Sequence, residues 1–486
     1  MTGIQVSHPI RATFIAVAIS VALSPSPARA ALKISAKATN HVTCFAGVCQ
    51  ATAPSATLNV SDLASMLAAG DVSVVSGSIA HDIAVNAALR WTSTSRLTLD
   101  SSFSLTINRP IVVAGPGSLT IETSEVRTAD YRFFNTGHIE FSDLSSGLTI
   151  NGETYVLEKN LKTLARDIRQ APRGNFALTR SINAGPRVYS ESPFPFLLGK
   201  FEGLGNTIAN LTVDGGASPK VGLFAQISGQ AVVRDLGLKN VNITGSGEKG
   251  IGALVGYLTS ASVKYAYATG QVSGTGTAPI GGLIGQVSFG VISGSYADVS
   301  VDGGDNSTAV GGLTGSFDGA TNLFIDNSYA IGAVSGGAGA SVGGLVGINT
   351  GVISNAYATG AVTGGDGAKV GGLIGQNTDG ELSKPFLSAD YSIGVVSGGS
   401  GATVGGLIGE EVADARATST YWDLDTSGIS DPHKGAGNVA DEDGITGLTT
   451  AQFKAALPSG LTSLNWTQKA ARNSGYPYLI ANPPPK

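Results

Sequence analysis

The sequence contains little charge. Charged residues account for 13% of the 486 positions, and the net charge at pH 7 is −5. Together with a mean hydropathy of +0.17, this composition excludes a chain that stays disordered in solution. So small a net charge also gives no reason to expect nucleic acid or an anionic membrane surface as a partner.

Two regular periods are missing as well. Apolar residues do not recur at helical spacing across the glycine-rich half of the chain, where glycine would in any case disfavour a helix. The 68 glycines do not fall at every third residue, which excludes a collagen triple helix. These absences leave a glycine-rich β architecture with many tight turns.

The sequence also lacks the usual catalytic and metal-binding motifs. The histidines beyond residue 30 are far apart, and no H-E-x-x-H, G-x-S-x-G or Walker-type motif occurs. We therefore predict that the protein is not an enzyme, has no catalytic residue and uses no metal or other cofactor. The histidines in question are His41, His81, His138 and His433.

Carboxylates concentrate in one stretch near the C-terminus. Their number there would suit a calcium site, or the acid and base of an enzyme that cleaves polysaccharide. A solvated loop ahead of a terminal cap explains the same pattern, and we favour it because the central repeats are nearly uncharged. The stretch contains Asp423, Asp425, Asp431, Asp441, Glu442 and Asp443.

The N-terminus has the features of a secretory signal peptide. An apolar run over residues 12–23 follows Arg11, and Ala28-Arg29-Ala30 supplies an A-x-A cleavage site. The run is too short to span a bilayer, and no later segment is apolar enough to cross one as a helix. We predict that residues 1–30 are removed and that the mature chain is exported, either secreted or held at the cell surface or outer membrane.

The chain has only two cysteines, Cys44 and Cys49, in the segment CFAGVC. In an oxidising compartment this spacing predicts a local disulfide. A zinc site would need four ligands, and only His41 lies nearby, so we do not expect a metal here. The bridge closes a very small loop and is expected to staple the N-terminal end, with little effect on the fold as a whole.

A six-residue block, aliphatic-Gly-Gly/Ala-Leu-x-Gly, recurs at spacings of 28 to 34 residues, which predicts a repeat array. Each unit is too small to bury an apolar face alone, so neighbours must cover it. We predict a parallel β-helix (β-solenoid), an all-β fold with coils of about 30 residues and one or two short accessory helices. Its glycines are expected at corners with positive φ or where two backbones approach. The blocks are IGALVG at 251, IGGLIG at 280, VGGLTG at 310, VGGLVG at 342, VGGLIG at 370 and 404, and a degenerate VGLFAQ at 221.

A tyrosine accompanies each of five repeats. If these rings face outward, they form a ladder on which sugar rings could stack, and this is the candidate ligand-binding set. If they face inward, they fill the core. Strict alternation would put Ile353, Asn355, Tyr357 and Thr359 on one face, but neither face is clearly the buried one. The tyrosines are Tyr267, Tyr296, Tyr329, Tyr357 and Tyr391.

The repeat VGGLVGINTGVISNAYATGAVTGG, from Val342, resembles the GLUG motif of bacterial surface proteins. The segments SSGLTINGETYVL, from Ser145, and FEGLGNTIANLTV, from Phe201, resemble filamentous-haemagglutinin-like proteins, as does GLTTAQFKAALPSG near the C-terminus. These resemblances imply a secreted or cell-surface β-helical protein of the adhesin-like kind.

The sequence predicts five parts. Residues 1–30 are the signal peptide, and residues 31–158 form an N-terminal β-helical segment with the cysteine staple. Residues 159–200 hold a short helix and a connector. Residues 201–415 form the GLUG-type repeat solenoid, and residues 416–486 form a C-terminal loop and cap.

Three segments outside the repeats carry more specific predictions. Short alternating runs from Leu58 to Leu119 predict further β-coils. The segment 159–170 has helical spacing and is expected to pack on the solenoid's side or between two solenoid segments. TAQFKAALP, with Thr449 or Thr450 as its cap, predicts a second helix that covers the last open coil edge.

The favoured function is that of an adhesin-like structural and binding protein that displays corner loops. Its expected partner is an extracellular glycan or a matrix or cell-surface component. Two alternatives stay open: an enzyme that acts on polysaccharide, and a passive spacer of the envelope.

Overall fold

The computed structural model describes residues 30–124, 130–319, 323–380, 384–412 and 415–485. The signal-peptide prediction falls almost wholly outside these residues. The described chain makes about 13 turns of a β-solenoid, which confirms the predicted all-β class. It contains four short helices where one or two were expected: α1 (Val60–Ala69), α2 (Gly77–Ala80), α3 (Leu161–Gln170) and α4 (Thr450–Ala455).

The first part of the chain forms the N-terminal solenoid, whose coils are built from three sheets of mainly parallel strands. Alternate side chains of its strands point into one apolar core, as period-2 patterning requires. Sheet 1 contains Tyr131–Phe133, Leu105–Ile107, Asp82–Val85, Ala31–Ser35 and Ser55–Asn59. Sheet 2 contains Ile139–Phe141, Ile111–Val113 and Leu89–Trp91. Sheet 3 contains Glu153–Thr154, Gly147–Ile150, Ser118–Thr123, Arg96–Ser101, Val72–Val75, Val48–Ala51 and Val42–Phe45.

The second part forms the C-terminal solenoid around its own apolar core. One long sheet, sheet 4, bends around two sides of each coil, and sheets 5 and 6 complete the coil. Sheet 4 contains Val156–Glu158, Phe176–Leu178, Ile182–Asn183, Val188–Tyr189, Lys200–Glu202, Thr207–Ala209, Thr212–Asp214, Val232–Arg234, Gly237–Gly245, Ser262–Lys264, Tyr267–Gly274, Val291–Ser293, Tyr296–Asp302, Phe324–Ala330, Val334–Gly336, Val352–Ala358, Val362–Gly364, Phe386–Ser388, Tyr391–Ser392, Val396–Gly398, Arg416–Thr418, Thr420–Asp423 and Ile445–Leu448. Sheet 5 contains Lys220–Val221, Gly250–Gly252, Ile280–Gly281, Ala309–Gly311, Ser341–Gly343, Lys369–Gly371 and Thr403–Gly405. Sheet 6 contains Phe224–Ser228, Val255–Thr259, Ile284–Ser288, Thr314–Asp318, Val346–Asn349, Ile374–Asn377 and Ile408–Glu411.

The six-residue blocks stack in register. Val342 pairs with Val310 on one side and with Val370 on the other, and the same column continues through every block from 221 to 404. Each block supplies a strand of sheet 5, a tight arc and the start of a strand of sheet 6. The repeated sequence therefore exists because each residue lies directly against its own copy in the next coil.

The glycines of the block allow two backbones to come into contact. A Cβ on Gly343 would lie 2.0 Å from the carbonyl oxygen of Val346 and 2.6 Å from the amide nitrogen of Gly375. A Cβ on Gly347 would lie 2.5 Å from the carbonyl oxygen of Gly315. Neither glycine has a positive φ. Close approach, and not left-handed geometry, is the reason for glycine at these positions.

The corner with positive φ is elsewhere in the coil, at the turn that follows the first strand of sheet 4. Successive coils place one residue there in the left-handed region, with φ between 50° and 60°. Residues that tolerate this region, such as asparagine, occupy most of these corners. Of the two roles predicted for the block glycines, the structure shows the close approach of backbones and not the positive φ. The corner residues are Asp235, Tyr265, Gly294, Asn327, Asn355, Ala389 and Ser419.

The N-terminal end of the first solenoid is covered by α1, which the β-coil prediction for Leu58–Leu119 missed. Asn59 caps this helix, since its side chain accepts hydrogen bonds from the amides of Ser61 and Asp62. Leu63 and Leu67 are buried against the first coils. Their helical spacing was present in the sequence, but the alternating runs that follow obscured it.

The second solenoid begins where the first ends. The amide of Ile139, in the last strand of sheet 2, donates a hydrogen bond to the carbonyl of Leu204, and Phe141 bonds in the same way to Thr179. Helix α3, capped by Asn160, buries its apolar face in the core of the C-terminal solenoid. This placement fits the predicted helix between two solenoid segments.

The predicted cap, helix α4, does not cover the open end of the solenoid. The loop that follows Asp423 closes that end, where Ala436 pairs with Ile408. After the strand Ile445–Leu448 the chain turns back and runs along the flank of sheet 4. We call residues 449–485 the C-terminal strap. Helix α4 begins the strap with a capping box formed by Thr449 and Gln452.

Candidate functional site

The five predicted tyrosines form one continuous stack. Each pairs in register with the next, and their ring centroids are 4.7 to 5.1 Å apart with interplanar angles of 10° or less. This is the offset parallel arrangement that aromatic rings favour. Tyr421 occupies the same column one coil further on, but its ring meets Phe453 edge-on. The faces of the inner rings are therefore occupied by each other.

The stack lies outside the solenoid core and is buried nonetheless, because the C-terminal strap covers most of it. Tyr329, Tyr357 and Tyr391 are fully buried. The ring of Trp466 packs against Tyr357 and Tyr391, and the hydroxyl of Tyr391 donates to the carbonyl of Pro477. The candidate sugar-stacking role does not suit these three rings.

Strict alternation fails at this column for a local reason. Asn355 adopts the left-handed conformation and turns the strand by a corner. Ile353 before the corner and Ala356 after it both face the solenoid core, whereas Tyr357 faces the strap. The alternation that would put Ile353 and Tyr357 on one face is wrong.

The other two tyrosines are only half-buried, because the strap ends beside them. Tyr267 and Tyr296 line a groove of about 810 Å³, which we call the junction groove. Three separate parts of the chain form its walls: the last coils of the N-terminal solenoid, the early coils of the C-terminal solenoid and the end of the strap. Its lining residues include Arg109, Arg132, Asn135, Asp235, Gly237, Tyr265, Tyr267, Gly294, Tyr296, Arg472, Asn482 and Pro483.

Two glycines make room for the aromatic floor of the groove. Gly237 occupies the column position at which the following coils carry tyrosine, and a Cβ there would lie 2.4 Å from the ring of Tyr267. Gly294 occupies a corner, and a Cβ there would lie 2.4 Å from the ring of Tyr265. The stack therefore ends at Tyr267, and two rings rest against bare backbone.

Tyr265 breaks the local rule of its column. It has a φ of 52°, in a region that bulky residues avoid, at the corner where other coils use aspartate, glycine, asparagine, alanine or serine. Its hydroxyl accepts a hydrogen bond of 2.9 Å from Arg132, whose guanidinium carbon lies 4.6 Å from the centre of the ring. Backbone strain of this kind concentrates at functional sites.

The groove carries positive charge. Arg109 donates to the hydroxyl of Thr136, and Arg472 lies 5.6 Å from the ring centre of Tyr478. Within the parts of the chain that the structure describes, Arg109, Arg132 and Arg472 form no ion pair with a carboxylate. The one carboxylate among the groove-lining residues belongs to Asp235, which Arg234 holds from behind.

The phenols of the groove stay neutral at physiological pH. Burial raises the pKa of Tyr265 to about 12, although the nearby Arg132 opposes the shift. Burial likewise raises the pKa of Tyr267 to about 12. Neutral hydroxyls can donate as well as accept hydrogen bonds, which suits a ligand that carries hydroxyl groups.

A buried charge cluster joins the two solenoids behind the groove. Arg234 donates to Asp130 at 2.9 Å and to Asp235 at 2.6 Å, and its guanidinium lies 3.7 Å from the ring centre of Tyr131. The hydroxyl of Tyr131 donates to Glu202 at 2.6 Å. Loss of solvation raises the pKa of Glu202 to about 8, against the attraction of Arg234. Burial therefore favours the protonated form of Glu202 in the folded chain.

The raised pKa of Glu202 predicts stability that depends on pH. Above its unfolded value of 4.5 the unfolded chain loses this proton while the folded chain keeps it, so stability falls as pH rises toward about 8. Glu202→Gln removes that slope. We expect the melting temperature of the variant to match that of the wild type at about pH 5 and to exceed it at about pH 9. A difference in melting temperature that stays constant with pH would contradict the assignment.

The remaining predicted positions do not gather into a site. Cys44 and Cys49 form a disulfide across an N-terminal hairpin. In the acidic stretch, Asp423 is buried and accepts hydrogen bonds from Tyr476 and Thr450. Among the described residues, no three histidine, cysteine or acidic side chains come together as a metal site.

Sequence reasoning missed most of the junction groove. Arg109, Arg132 and Tyr265 carried no recognised pattern, and Arg472 lies far away in sequence. The available signal was in KYAY, where Tyr265 stands two residues before Tyr267 at a position that other repeats give to glycine, asparagine or alanine.

No helix in the described parts of the chain has both the length and the apolar character needed to cross a bilayer.

Comparisons with known proteins place one motif in this chain. The model of the GLUG motif matches residues 338–363, which contain the block at Val342 and the turn to Tyr357. No curated protein matches the chain. A solved structure of a putative immunoglobulin A1 protease from Bacteroides ovatus is similar at 19% identity with a TM-score of 0.41, over 68% of this chain and 92% of that one. The strand pairing and the motif match together show a β-solenoid that carries GLUG repeats.

Proposed function

We propose that the protein is an exported, adhesin-like structural and binding protein that holds an extracellular glycan in the junction groove. A β-solenoid with GLUG repeats fits an extracellular structural or binding protein. The signal-peptide pattern and the resemblance to filamentous-haemagglutinin-like segments support a location outside the cell, secreted or on its surface. The solenoid then acts as a stiff rod that presents the groove.

The strained tyrosine is the observation that carries the proposal. Tyr265 keeps an unfavourable backbone conformation, rests on Gly294 and opens onto a groove together with Tyr267 and Tyr296. Aromatic rings bind the C–H faces of sugars, and amides such as that of Asn135 bind their hydroxyls. A residue selected only for this backbone conformation would be a small or polar one, like Asp235 and Gly294 in the neighbouring coils.

The chemistry of the groove favours binding of a glycan without cleavage of its glycosidic bonds. Enzymes that cleave glycosidic bonds generally use two facing carboxylates. Among the groove-lining residues the structure describes, Asp235 alone carries a carboxylate, and it is tied to Arg234. We therefore propose that the protein is not an enzyme.

Tyr265→Asn separates binding from folding. The substitution relieves the left-handed strain, so the melting temperature is expected to stay the same or to rise. Binding to polysaccharides in affinity gels, using a panel of neutral and acidic galactans, glucans and xylans, is expected to weaken about tenfold or more. A deletion strain complemented with this variant is expected to attach poorly to surfaces.

Tyr257→Asn is the matched control. Tyr257 belongs to the same coil but lies on sheet 6, away from the groove, so this variant is expected to bind like the wild type. Equal binding by wild type and Tyr265→Asn would contradict the proposal. So would a fall in melting temperature that accounts for the lost binding, because the tyrosine would then be a folding residue.

A further inference from the structure

We propose that the ligand of the junction groove is an acidic glycan, one whose sugar rings carry carboxylates. This inference rests on the proposed function and names the ligand class of the same site. It follows from the charge of the groove, which differs in sign from that of the protein as a whole.

Three guanidinium groups reach the groove from different parts of the chain. Arg109 and Arg132 come from the N-terminal solenoid and Arg472 comes from the strap, while the whole chain has a net charge of −5. None of the three forms an ion pair with a carboxylate within the described residues. A groove with this lining attracts anions and repels cations.

The buried arginine beside the groove is paired differently. Arg234, just behind the groove, pairs with the carboxylates of Asp130 and Asp235. The arginines of the groove are left with neutral partners: a threonine hydroxyl for Arg109 and a tyrosine hydroxyl for Arg132. An arginine fork that lacks an acidic partner is suited to a carboxylate supplied by a ligand.

The aromatic floor restricts the class of anion. Tyr265 and Tyr267 offer apolar ring surface beside the guanidinium groups, and Asn135 and Asn482 add amide groups to the lining. A small inorganic anion would leave the rings unused, whereas a chain of sugars would use rings, amides and charges together. A uronic acid combines an apolar ring face, hydroxyls and a planar carboxylate in one unit.

The test compares two oligosaccharides that differ only in whether their carboxyl groups are free or methyl-esterified. Tetragalacturonate and its full methyl ester have the same rings and hydroxyls, but only the first carries carboxylates. Calorimetric titration of the mature chain is expected to show tetragalacturonate binding at least about tenfold more tightly. The advantage is expected to shrink as the salt concentration rises from about 0.05 to about 0.5 M.

Arginine variants locate the charge effect. Arg109→Gln and Arg472→Gln are each expected to weaken binding of tetragalacturonate several-fold and to leave binding of the ester unchanged. Arg169→Gln is the matched control, because this arginine is exposed on α3 and does not line the groove. Melting temperatures of all three variants show whether the fold is intact.

Each alternative outcome is decisive. Equal binding of acid and ester, lost from both in Tyr265→Asn, would overturn the acidic class and leave a glycan groove in place. Tighter binding of a sulfated galactan tetrasaccharide than of tetragalacturonate would overturn the carboxylate assignment. Failure of galactotetraose, the ester and the acid alike to bind would overturn both this inference and the proposed function.

Discussion

Replacing Gly343 by alanine is expected to lower the free energy of unfolding by about 3 kcal/mol. The new Cβ would lie 2.0 Å from the carbonyl oxygen of Val346 and 2.6 Å from the amide nitrogen of Gly375. Both contacts are with backbone, which cannot swing aside as a long side chain can. The arc would have to open, and the hydrogen bonds to the coils on either side would lengthen with it. Urea unfolding monitored by far-ultraviolet circular dichroism measures the effect.

Gly70→Ala is the matched control for this prediction. Gly70 has extended backbone, with φ at 171°, and a Cβ there would meet nothing within 4 Å. This substitution is expected to change stability by no more than about 0.5 kcal/mol. Equal losses at Gly343 and Gly70 would mean that glycine serves chain flexibility in the repeat, and the argument from backbone contact would fail.

Replacing Tyr357 by alanine is expected to cost about 3 to 5 kcal/mol. The ring is fully buried between Tyr329 and Tyr391, at centroid distances of 4.7 and 5.1 Å, and Trp466 of the strap packs against it at 6.0 Å. Its removal leaves a cavity between the solenoid and the strap. Thermal unfolding followed by near-ultraviolet circular dichroism reports on both the tyrosine stack and Trp466 of the strap.

Tyr357→Phe is the companion variant. The hydroxyl of Tyr357 is buried and has no hydrogen-bond partner among the described residues. Removing it while keeping the ring is therefore expected to raise stability by about 1 kcal/mol. A loss with phenylalanine as large as that with alanine would show that the hydroxyl holds the strap, and the packing account would be wrong.

The repeating part of the fold could be predicted because every coil places similar residues at the same positions. Val310, Val342 and Val370 occupy the same position in three successive coils. Because the same pattern recurs in this way, a spacing near 30 residues was enough to predict parallel stacking. The GLUG-type block and the tyrosine column followed from the same regularity. The direction in which the tyrosines face did not follow from it. One left-handed residue such as Asn355 turns the strand, so that the side chains after it face the opposite way from strict alternation.

The strap and the groove could not be predicted, because they depend on contacts between distant parts of the chain. Trp466 docks on Tyr357 and on the corner residue Asn355, more than a hundred positions earlier. Arg132, Tyr265 and Arg472 line one groove only after both solenoids have stacked and the strap has folded back. Nothing in the local pattern around any of the three indicates the other two.

A crystal structure of the mature chain soaked with tetragalacturonate tests the central claim most directly. The account predicts sugar density in the junction groove, with a ring against Tyr265 and a carboxylate within hydrogen-bond distance of Arg132 or Arg472. Sugar density on the corner loop of residues 303–308, which connects sheets 4 and 5, with the groove free of sugar, would contradict it.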